Sequence, residues 1–100
     1  MNAAVRLVRL LRGKGLTVTT AESMTGGLIA GAITSVPGAS GVLSLALCTY
    51  SNEAKRRFLG VSASTIAAHT EISAPCAREM ARGAAALAGA DLALSVTGLA

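Results

Sequence analysis

The fold of this chain is decided by residues 16–27, which read Leu-Thr-Val-Thr-Thr-Ala-Glu-Ser-Met-Thr-Gly-Gly. The β-branched residues of the first half predict a strand over residues 16–21. A helix is predicted from about Thr25 to Val36, because apolar residues recur every three or four positions until Pro37-Gly38 stops them. A strand that turns directly into a helix is typical of α/β folds.

The rest of the chain repeats this alternation of helices and short apolar strands. Glycines and hydroxyl residues stand at the predicted helix ends, where they serve as caps. The predicted elements are a helix over residues 1–12, a strand over 42–50 buried on both faces, helices over 52–59, 62–69 and 73–88, and a strand over 92–96. We therefore expect an α/β fold with helices packed on a small central sheet, and we place the uniformly apolar strand 92–96 in its centre.

The composition fits one small domain with an aliphatic core. Of the 100 residues, 52% are hydrophobic and 14% are charged, which argues against disorder. Tyr50 and Phe58 are the only aromatic residues, so a nucleic-acid-binding module that stacks bases on aromatic side chains is not expected. The net charge of +4 suits anionic ligands such as phosphates. A solvated helix face explains the arginines of the first helix equally well.

Cysteine, metal and membrane patterns narrow the class of protein further. Cys48 and Cys76 form no Cys-x-x-Cys pair and are interpreted as small buried hydrophobes, and a single histidine leaves no zinc-ligand set. We therefore expect a cytoplasmic protein without a metal or cofactor. The uncharged run from Ser23 to Asn52 is long enough to span a bilayer, but Pro37 and Gly38 interrupt it, so no membrane segment is expected.

Ser23 is the first candidate for chemistry. It stands where a strand ends and a helix begins, and the carboxyl ends of strands are where α/β sheets bind ligands. Thr25, Gly26 and Gly27 would present backbone N–H groups to a substrate phosphate or to an oxyanion. The alternative interpretation is that Ser23 or Thr25 simply caps the helix.

Lys55 and Tyr50 are the second candidates, because both follow the strand predicted over residues 42–50. The helix dipole disfavours a cation in the first helical turn, and Arg56 and Arg57 add like charge. A neutral Lys55 amine could therefore accept the proton of a serine hydroxyl, with Tyr50 relaying a proton or holding the amine. The alternative is a surface basic cluster beside a half-buried tyrosine.

Two further segments bear on the site. Thr97 and Gly98 follow the last predicted strand, so the Thr97-Gly98 turn is expected to face Ser23. His69 lies far along the chain from Ser23. Sequence distance does not exclude a histidine-based triad, but a histidine at a helix C-terminus is the simpler interpretation.

From about residue 16 to residue 100 the chain resembles the C-terminal domain family of the competence/damage-inducible protein CinA. That family includes the stand-alone nicotinamide mononucleotide amidohydrolase PncC. The matching positions lie mainly at strand ends and helix starts. They are Thr20-Ala21-Glu22-Ser23, Thr25-Gly26-Gly27, Val36-Pro37-Gly38, Thr49-Tyr50-Ser51-Asn52-Glu53-Ala54-Lys55, Leu59-Gly60-Val61, His69, Ser73, Ala77-Arg78-Glu79-Met80, Ala90-Asp91 and Val96-Thr97-Gly98.

The resemblance implies a three-layer-type sandwich and a metal-free serine amidase. The substrate would be nicotinamide mononucleotide, hydrolysed to nicotinate mononucleotide and ammonia. By position, Ser23 matches the family nucleophile, Lys55 its general base and Tyr50 its supporting hydroxyl. Thr25, Gly26, Gly27, Thr97 and Gly98 would contact the substrate.

The chain also departs from the family pattern. Met24 stands where the family usually has cysteine. The family continues past Thr97-Gly98 into a glycine-rich loop and further strands and helices, so residues 1–100 are expected to form only the N-terminal part of the amidohydrolase domain. We expect such a part to be weakly stable, catalytically poor and prone to associate into a homo-oligomer through an apolar sheet edge. The alternatives are an inactive remnant, a module that binds a phosphate ligand, and a basic interaction protein.

Overall fold

A computed structural model of the protein describes residues 2–99. Helices alternate with short strands along the described chain. The elements are helix α1 (Ala3–Lys14), strand β1 (Val18–Glu22), helix α2 (Leu28–Thr34), a 3-10 turn (Ala39–Gly41), strand β2 (Ala46–Cys48), helices α3 (Asn52–Leu59), α4 (Ala63–His69) and α5 (Ala74–Ala88), and strand β3 (Leu92–Val96).

The three strands form one parallel sheet in the order β2-β1-β3. Thr20 of β1 is in register with Ala46 of β2 and with Leu94 of β3. Glu22, the last residue of β1, is in register with Cys48 and Val96, the last residues of the other two strands. The carboxyl ends of all three strands therefore meet at one edge of the sheet, which confirms the α/β prediction and gathers the segments that follow the strands.

Helices cover both faces of the sheet. Val18 packs in a cluster with buried residues of α1 and α2, including Val8 and Ile33. Ala21 points to the opposite face, because side chains alternate along a strand, and it packs with Cys76 and Met80 of α5. The result is the expected three-layer arrangement, with α1 and α2 on one face of the sheet and α3, α4 and α5 on the other.

The position of β3 in the sheet differs from the prediction. The central strand of the described sheet is β1, and all five of its residues are buried. Strand β3 lies at an edge, where Leu92 and Leu94 are 46% and 43% exposed. An apolar sequence predicts burial but does not say which strands lie beside it, and β1 is the strand with a partner on each side.

Strand β2 is shorter and more exposed than the nine-residue strand expected over residues 42–50. The start of that segment is used by the 3-10 turn, because the N–H groups of Val42 and Leu43 both donate to the Ala39 carbonyl at 2.9 Å. β2 is also an edge strand, and its residues Ala46 and Cys48 are exposed. Cys48 is therefore not the buried hydrophobe that we expected, whereas Cys76 is.

None of the helices described within residues 2–99 is both long enough and apolar enough to cross a membrane.

Candidate functional site

Ser23 and Lys55 form a buried pair at the carboxyl edge of the sheet. Ser23 follows β1 directly and is 6% exposed, while Lys55 comes from α3 and is 1% exposed. Lys55 Nζ donates a hydrogen bond to Ser23 Oγ at 3.1 Å. It also donates to the backbone oxygens of Thr49 at 3.0 Å and of Tyr50 at 3.4 Å.

The acceptors around Lys55 define what its nitrogen can do. All three acceptors described for Nζ are uncharged oxygens. A protonated amine fills them with its three N–H donors. A neutral amine has two N–H donors and one lone pair, so it can keep the carbonyls of Thr49 and Tyr50 while its lone pair accepts the proton of the Ser23 hydroxyl. The same geometry therefore serves both protonation states of a serine–lysine pair.

Helix α3 places Lys55 by its cap and by its buried face. Its N-cap is Ser51, whose hydroxyl accepts from the Ala54 N–H at 3.0 Å and which directly precedes the helix predicted over residues 52–59. Lys55 and Leu59 are four residues apart and form the buried face of the helix. Arg56 and Arg57 lie on its exposed side. Of the three consecutive cations, the fold takes only Lys55 into the interior.

Tyr50 contacts this pair through its backbone rather than its side chain. Its carbonyl accepts from Lys55 Nζ, and its side chain is 70% exposed. No hydrogen bond of the Tyr50 hydroxyl is seen within residues 2–99. The expected hold of this hydroxyl on the lysine amine is therefore absent from the described part, and the ring stands at the mouth of the site.

A cavity of about 210 Å³ opens over Ser23 and Lys55. The segments after all three strands contribute to it, as the sequence predicted. Its lining includes Ser23, Met24, Tyr50, Lys55, Thr97 and Gly98. The Thr97 hydroxyl donates to the Glu71 carbonyl at 2.6 Å, which fixes this wall. The wall is also tight, because a Cβ atom on Gly98 would lie 2.8 Å from Met24 Sδ.

Thr25, Gly26 and Gly27 do not line this cavity. Helix α2 begins only at Leu28, and the carboxylate of Glu22 occupies its N-terminus. The Thr25 hydroxyl donates to Glu22 Oε1 at 2.7 Å, the Ile29 N–H donates to Oε1 at 2.9 Å, and the Ala30 N–H donates to Oε2 at 2.9 Å. The Glu22 carboxylate thus accepts amides further along the helix, while the Gly26 N–H, one of the amides that we expected to bind a substrate anion, donates to the Ser23 carbonyl at 3.1 Å.

Glu22 is the residue of this region that the sequence reasoning missed. It is fully buried. Burial raises the pKa of its carboxyl, but the hydrogen bonds from the Ala30 and Ile29 amides and from the Thr25 hydroxyl stabilise the carboxylate more, so the net effect lowers the pKa. The available signal was the N-cap of α2. Gly27 has no side chain for capping, so another group had to satisfy the first amides of the helix.

The remaining candidates lie elsewhere. His69 is the exposed last residue of α4 and does not line the cavity. Within residues 2–99, no three His, Cys, Asp or Glu side chains are close enough together to hold a metal ion. A hollow of about 480 Å³ runs beside Arg56 and Arg57 on the outside of α3, but neither Ser23 nor Lys55 lines it.

Comparison with known proteins gives one consistent family. The model of the CinA C-terminal domain family matches residues 1–100. The CinA-like protein of Geobacter sulfurreducens is 55% identical over 94 residues, which are 94% of this chain and 23% of that protein. The CinA-like protein of Citrifermentans bemidjiense is 57% identical over 95 residues, which are 95% of this chain and 23% of that protein.

Solved structures agree with the sequence comparison. The crystal structure of the competence/damage inducible protein CihA from Agrobacterium tumefaciens matches with a TM-score of 0.93 and 44% identity. The match covers 96% of this chain and 58% of that one. The chain therefore spans about a quarter of the length of the curated relatives and somewhat more than half of the solved one.

Proposed function

The chain belongs to the CinA C-terminal domain family, and on this basis we propose that it is an amidohydrolase that converts nicotinamide mononucleotide to nicotinate mononucleotide and ammonia. The substrate comes from the family resemblance. The chemistry is supported by one observation above all, the 3.1 Å hydrogen bond between the buried Lys55 Nζ and Ser23 Oγ. That pair has the two parts that acyl transfer needs, a hydroxyl nucleophile and an adjacent base.

In the proposed reaction, Ser23 Oγ attacks the carboxamide carbon and its proton passes to Lys55 Nζ. The C–N bond then breaks, and the nitrogen takes that proton and leaves as ammonia. Water then attacks the ester carbon and gives a proton to Lys55, the bond from that carbon to Ser23 Oγ breaks, Oγ takes the proton back from Lys55, and nicotinate mononucleotide is released. Lys55 acts as a base in its neutral form, with the lone pair of Nζ directed toward Ser23 Oγ. Every step uses only this chain and water.

The surroundings of the pair fit a small polar substrate group. Tyr50 follows β2 and Thr97 follows β3, and both residues line the cavity. We propose that the Tyr50 hydroxyl, which is exposed, contacts the substrate instead of the lysine.

The alternative of a module that binds phosphate at the start of α2 is disfavoured, because the Glu22 carboxylate already accepts the amides of Ile29 and Ala30. A substrate phosphate would meet a like charge there.

The test is the release of ammonia from nicotinamide mononucleotide, with nicotinate mononucleotide identified by mass spectrometry. We expect release by the unmodified chain and at least a hundredfold less by Ser23→Ala, because loss of a catalytic nucleophile lowers the rate by several orders of magnitude. The matched control is Ser40→Ala, which removes an exposed hydroxyl outside the cavity and is expected to leave the rate unchanged. Equal release by the chain and by Ser23→Ala would reject the proposal.

A further inference from the structure

Glu22 and Ser23 are neighbours in the chain, but their side chains serve opposite faces of the sheet. Side chains alternate along a strand, so the Glu22 carboxylate points toward α2 while Ser23 Oγ points toward α3 and Lys55. The mechanism proposed above uses Ser23 and leaves this fully buried carboxylate without a role. Its hydrogen bonds are nevertheless the ones that fix the turn in which the nucleophile stands.

Glu22 is anchored by both its side chain and its backbone. The carboxylate accepts from the Thr25 hydroxyl and from the amides of Ile29 and Ala30, which closes the turn over residues 23–27 onto the end of β1. The Glu22 carbonyl accepts from the Thr49 N–H at 2.8 Å. The carboxylate of Glu22 therefore binds the segment that follows Ser23, and the carbonyl of Glu22 binds Thr49.

Hydrogen bonds and one peptide bond form a closed ring that includes Ser23. Glu22 O accepts from Thr49 N, Thr49 O accepts from Lys55 Nζ at 3.0 Å, and Lys55 Nζ donates to Ser23 Oγ. The peptide bond from Ser23 to Glu22 closes the ring. A shift of Glu22 would change the distance between the serine oxygen and the lysine nitrogen even though the glutamate touches neither atom.

We propose that Glu22 is a positioning residue, which holds Ser23 Oγ within proton-transfer distance of Lys55 Nζ by binding the start of α2 with its carboxylate and Thr49 with its carbonyl. The inference rests on the proposed function, because it assumes that Ser23 is a nucleophile. Misplacing a reacting group by about 1 Å can cost about a hundredfold in rate. A loosened turn should therefore slow the chemistry of Ser23 in molecules that are still folded.

The test uses diisopropyl fluorophosphate, so it does not depend on the identity of the natural substrate. Ser23 Oγ attacks phosphorus, the P–F bond breaks, fluoride leaves and the hydroxyl proton passes to Lys55. Intact-mass spectrometry gives two separate quantities, the maximal rate constant of labelling and the fraction of chains finally labelled. Circular dichroism in the same buffer gives the folded fraction. A residue that only stabilises the fold lowers the rate constant in proportion to the folded fraction, whereas a positioning residue lowers the rate constant while the chain stays folded.

Glu22→Gln keeps the size of the side chain but places an N–H donor where an amide needs an acceptor. We expect its rate constant to fall at least about tenfold while one label per chain is still reached.

The matched control is Glu79→Gln. Glu79 of α5 caps α4 by accepting from the Ser62 N–H at 2.9 Å and from the Thr65 hydroxyl, and it does not line the Ser23 cavity. Its rate constant should stay within about twofold, because the Glu79 carboxylate binds the start of α4 and not the turn over residues 23–27.

A second pair of variants, with milder substitutions, keeps the inference testable if Glu22→Gln does not fold. Thr25→Val removes one donor to Glu22, and Thr65→Val removes the equivalent donor to Glu79. We expect Thr25→Val to slow labelling about threefold and Thr65→Val to leave it unchanged. Labelling at the unmodified rate in the folded Glu22 or Thr25 variant would overturn the inference and leave the nucleophile assignment intact. Failure of the unmodified chain to label at Ser23 would instead overturn the proposed function, and the inference with it.

Discussion

Lys55 Nζ lies 3.1 Å from Ser23 Oγ although 32 residues separate them in the chain. The parallel sheet explains this proximity, because β1 and β2 end at the same edge and each leads into the segment that carries one of the two residues. Both residues of the pair are buried. Substitutions around it should therefore act on chemistry and on stability in separable ways.

Tyr50→Phe separates the hydroxyl of Tyr50 from its backbone carbonyl. The carbonyl still accepts from Lys55 Nζ in this variant, so the serine–lysine pair is unchanged. We expect labelling of Ser23 by diisopropyl fluorophosphate to stay within about threefold, and turnover of nicotinamide mononucleotide to fall at least about tenfold, the lower range for a lost catalytic contact. Equal losses in the two assays would instead indicate that the Tyr50 hydroxyl interacts with Lys55.

Glu22 should make stability depend on pH in acid. Its folded pKa lies below the ordinary value of 4.5, so as the pH falls the unfolded chain takes up this proton first. The contribution of the ionised Glu22 carboxylate to the free energy of unfolding is complete above about pH 4.5. It is lost as the pH falls from there through the lower folded pKa. Glu22→Gln should lose about 2 kcal/mol at pH 7 and show a shallower decline in acid.

Urea unfolding midpoints at pH 7, 5, 4 and 3.5 measure this difference. Glu79 keeps a residual slope in the variant, because the Thr65 hydroxyl and the Ser62 N–H also lower its pKa. Parallel stability curves for the unmodified protein and Glu22→Gln across this range would contradict the assigned charge of Glu22.

The two cysteines should differ in reactivity. Cys76 is fully buried, and burial raises the pKa of its thiol. Cys48 is exposed at the sheet edge. We expect Ellman's reagent at neutral pH to modify one thiol per native chain and two in denaturant. Cys48→Ser should remove the native reaction, and a fast reaction that survives this change would show that α5 opens readily.

Gly83→Ala should destabilise the protein through the packing of α5 on α3. A Cβ atom at Gly83 would lie 1.8 Å from the Leu59 carbonyl oxygen, so the two helices would have to separate. We expect a loss of about 2–3 kcal/mol in the free energy of unfolding. Gly31→Ala in α2 is the matched control, because nothing lies within 4 Å of its added Cβ, and it should stabilise by about 0.5–1 kcal/mol. Equal effects of the two substitutions would contradict the close approach.

Much of the fold could be predicted because local signals agree along this chain. β-branched and apolar runs identified three strands, and hydroxyl or glycine caps bounded the helices. The order of the strands could not be predicted in the same way. Residues 92–96 are as apolar as a central strand, yet the described sheet places them at its edge. Hydrophobicity reports that a strand is covered by helices, not how many strands lie beside it.

The site was predictable where topology alone brings residues together. Ser23, Lys55, Thr97 and Gly98 follow the ends of strands in one parallel sheet, and they line one cavity. The role of Glu22 depends on tertiary contacts. Its carboxylate reaches amides seven and eight residues further along the chain, and no periodic pattern marks such a contact. The exposed side chain of Tyr50 was missed for a related reason, because β2 ends at Cys48 and leaves Tyr50 outside the sheet.

The central claim is that Lys55 activates Ser23, and covalent capture of Ser23 tests it most directly. After treatment with diisopropyl fluorophosphate, peptide mapping should find one adduct per chain, on Ser23, and none in Ser23→Ala. Lys55→Arg and Lys55→Met should react at least about a hundredfold more slowly, because neither side chain can act as a base near neutral pH. An adduct on another residue, or capture of Ser23 at the unmodified rate in both folded Lys55 variants, would contradict the account.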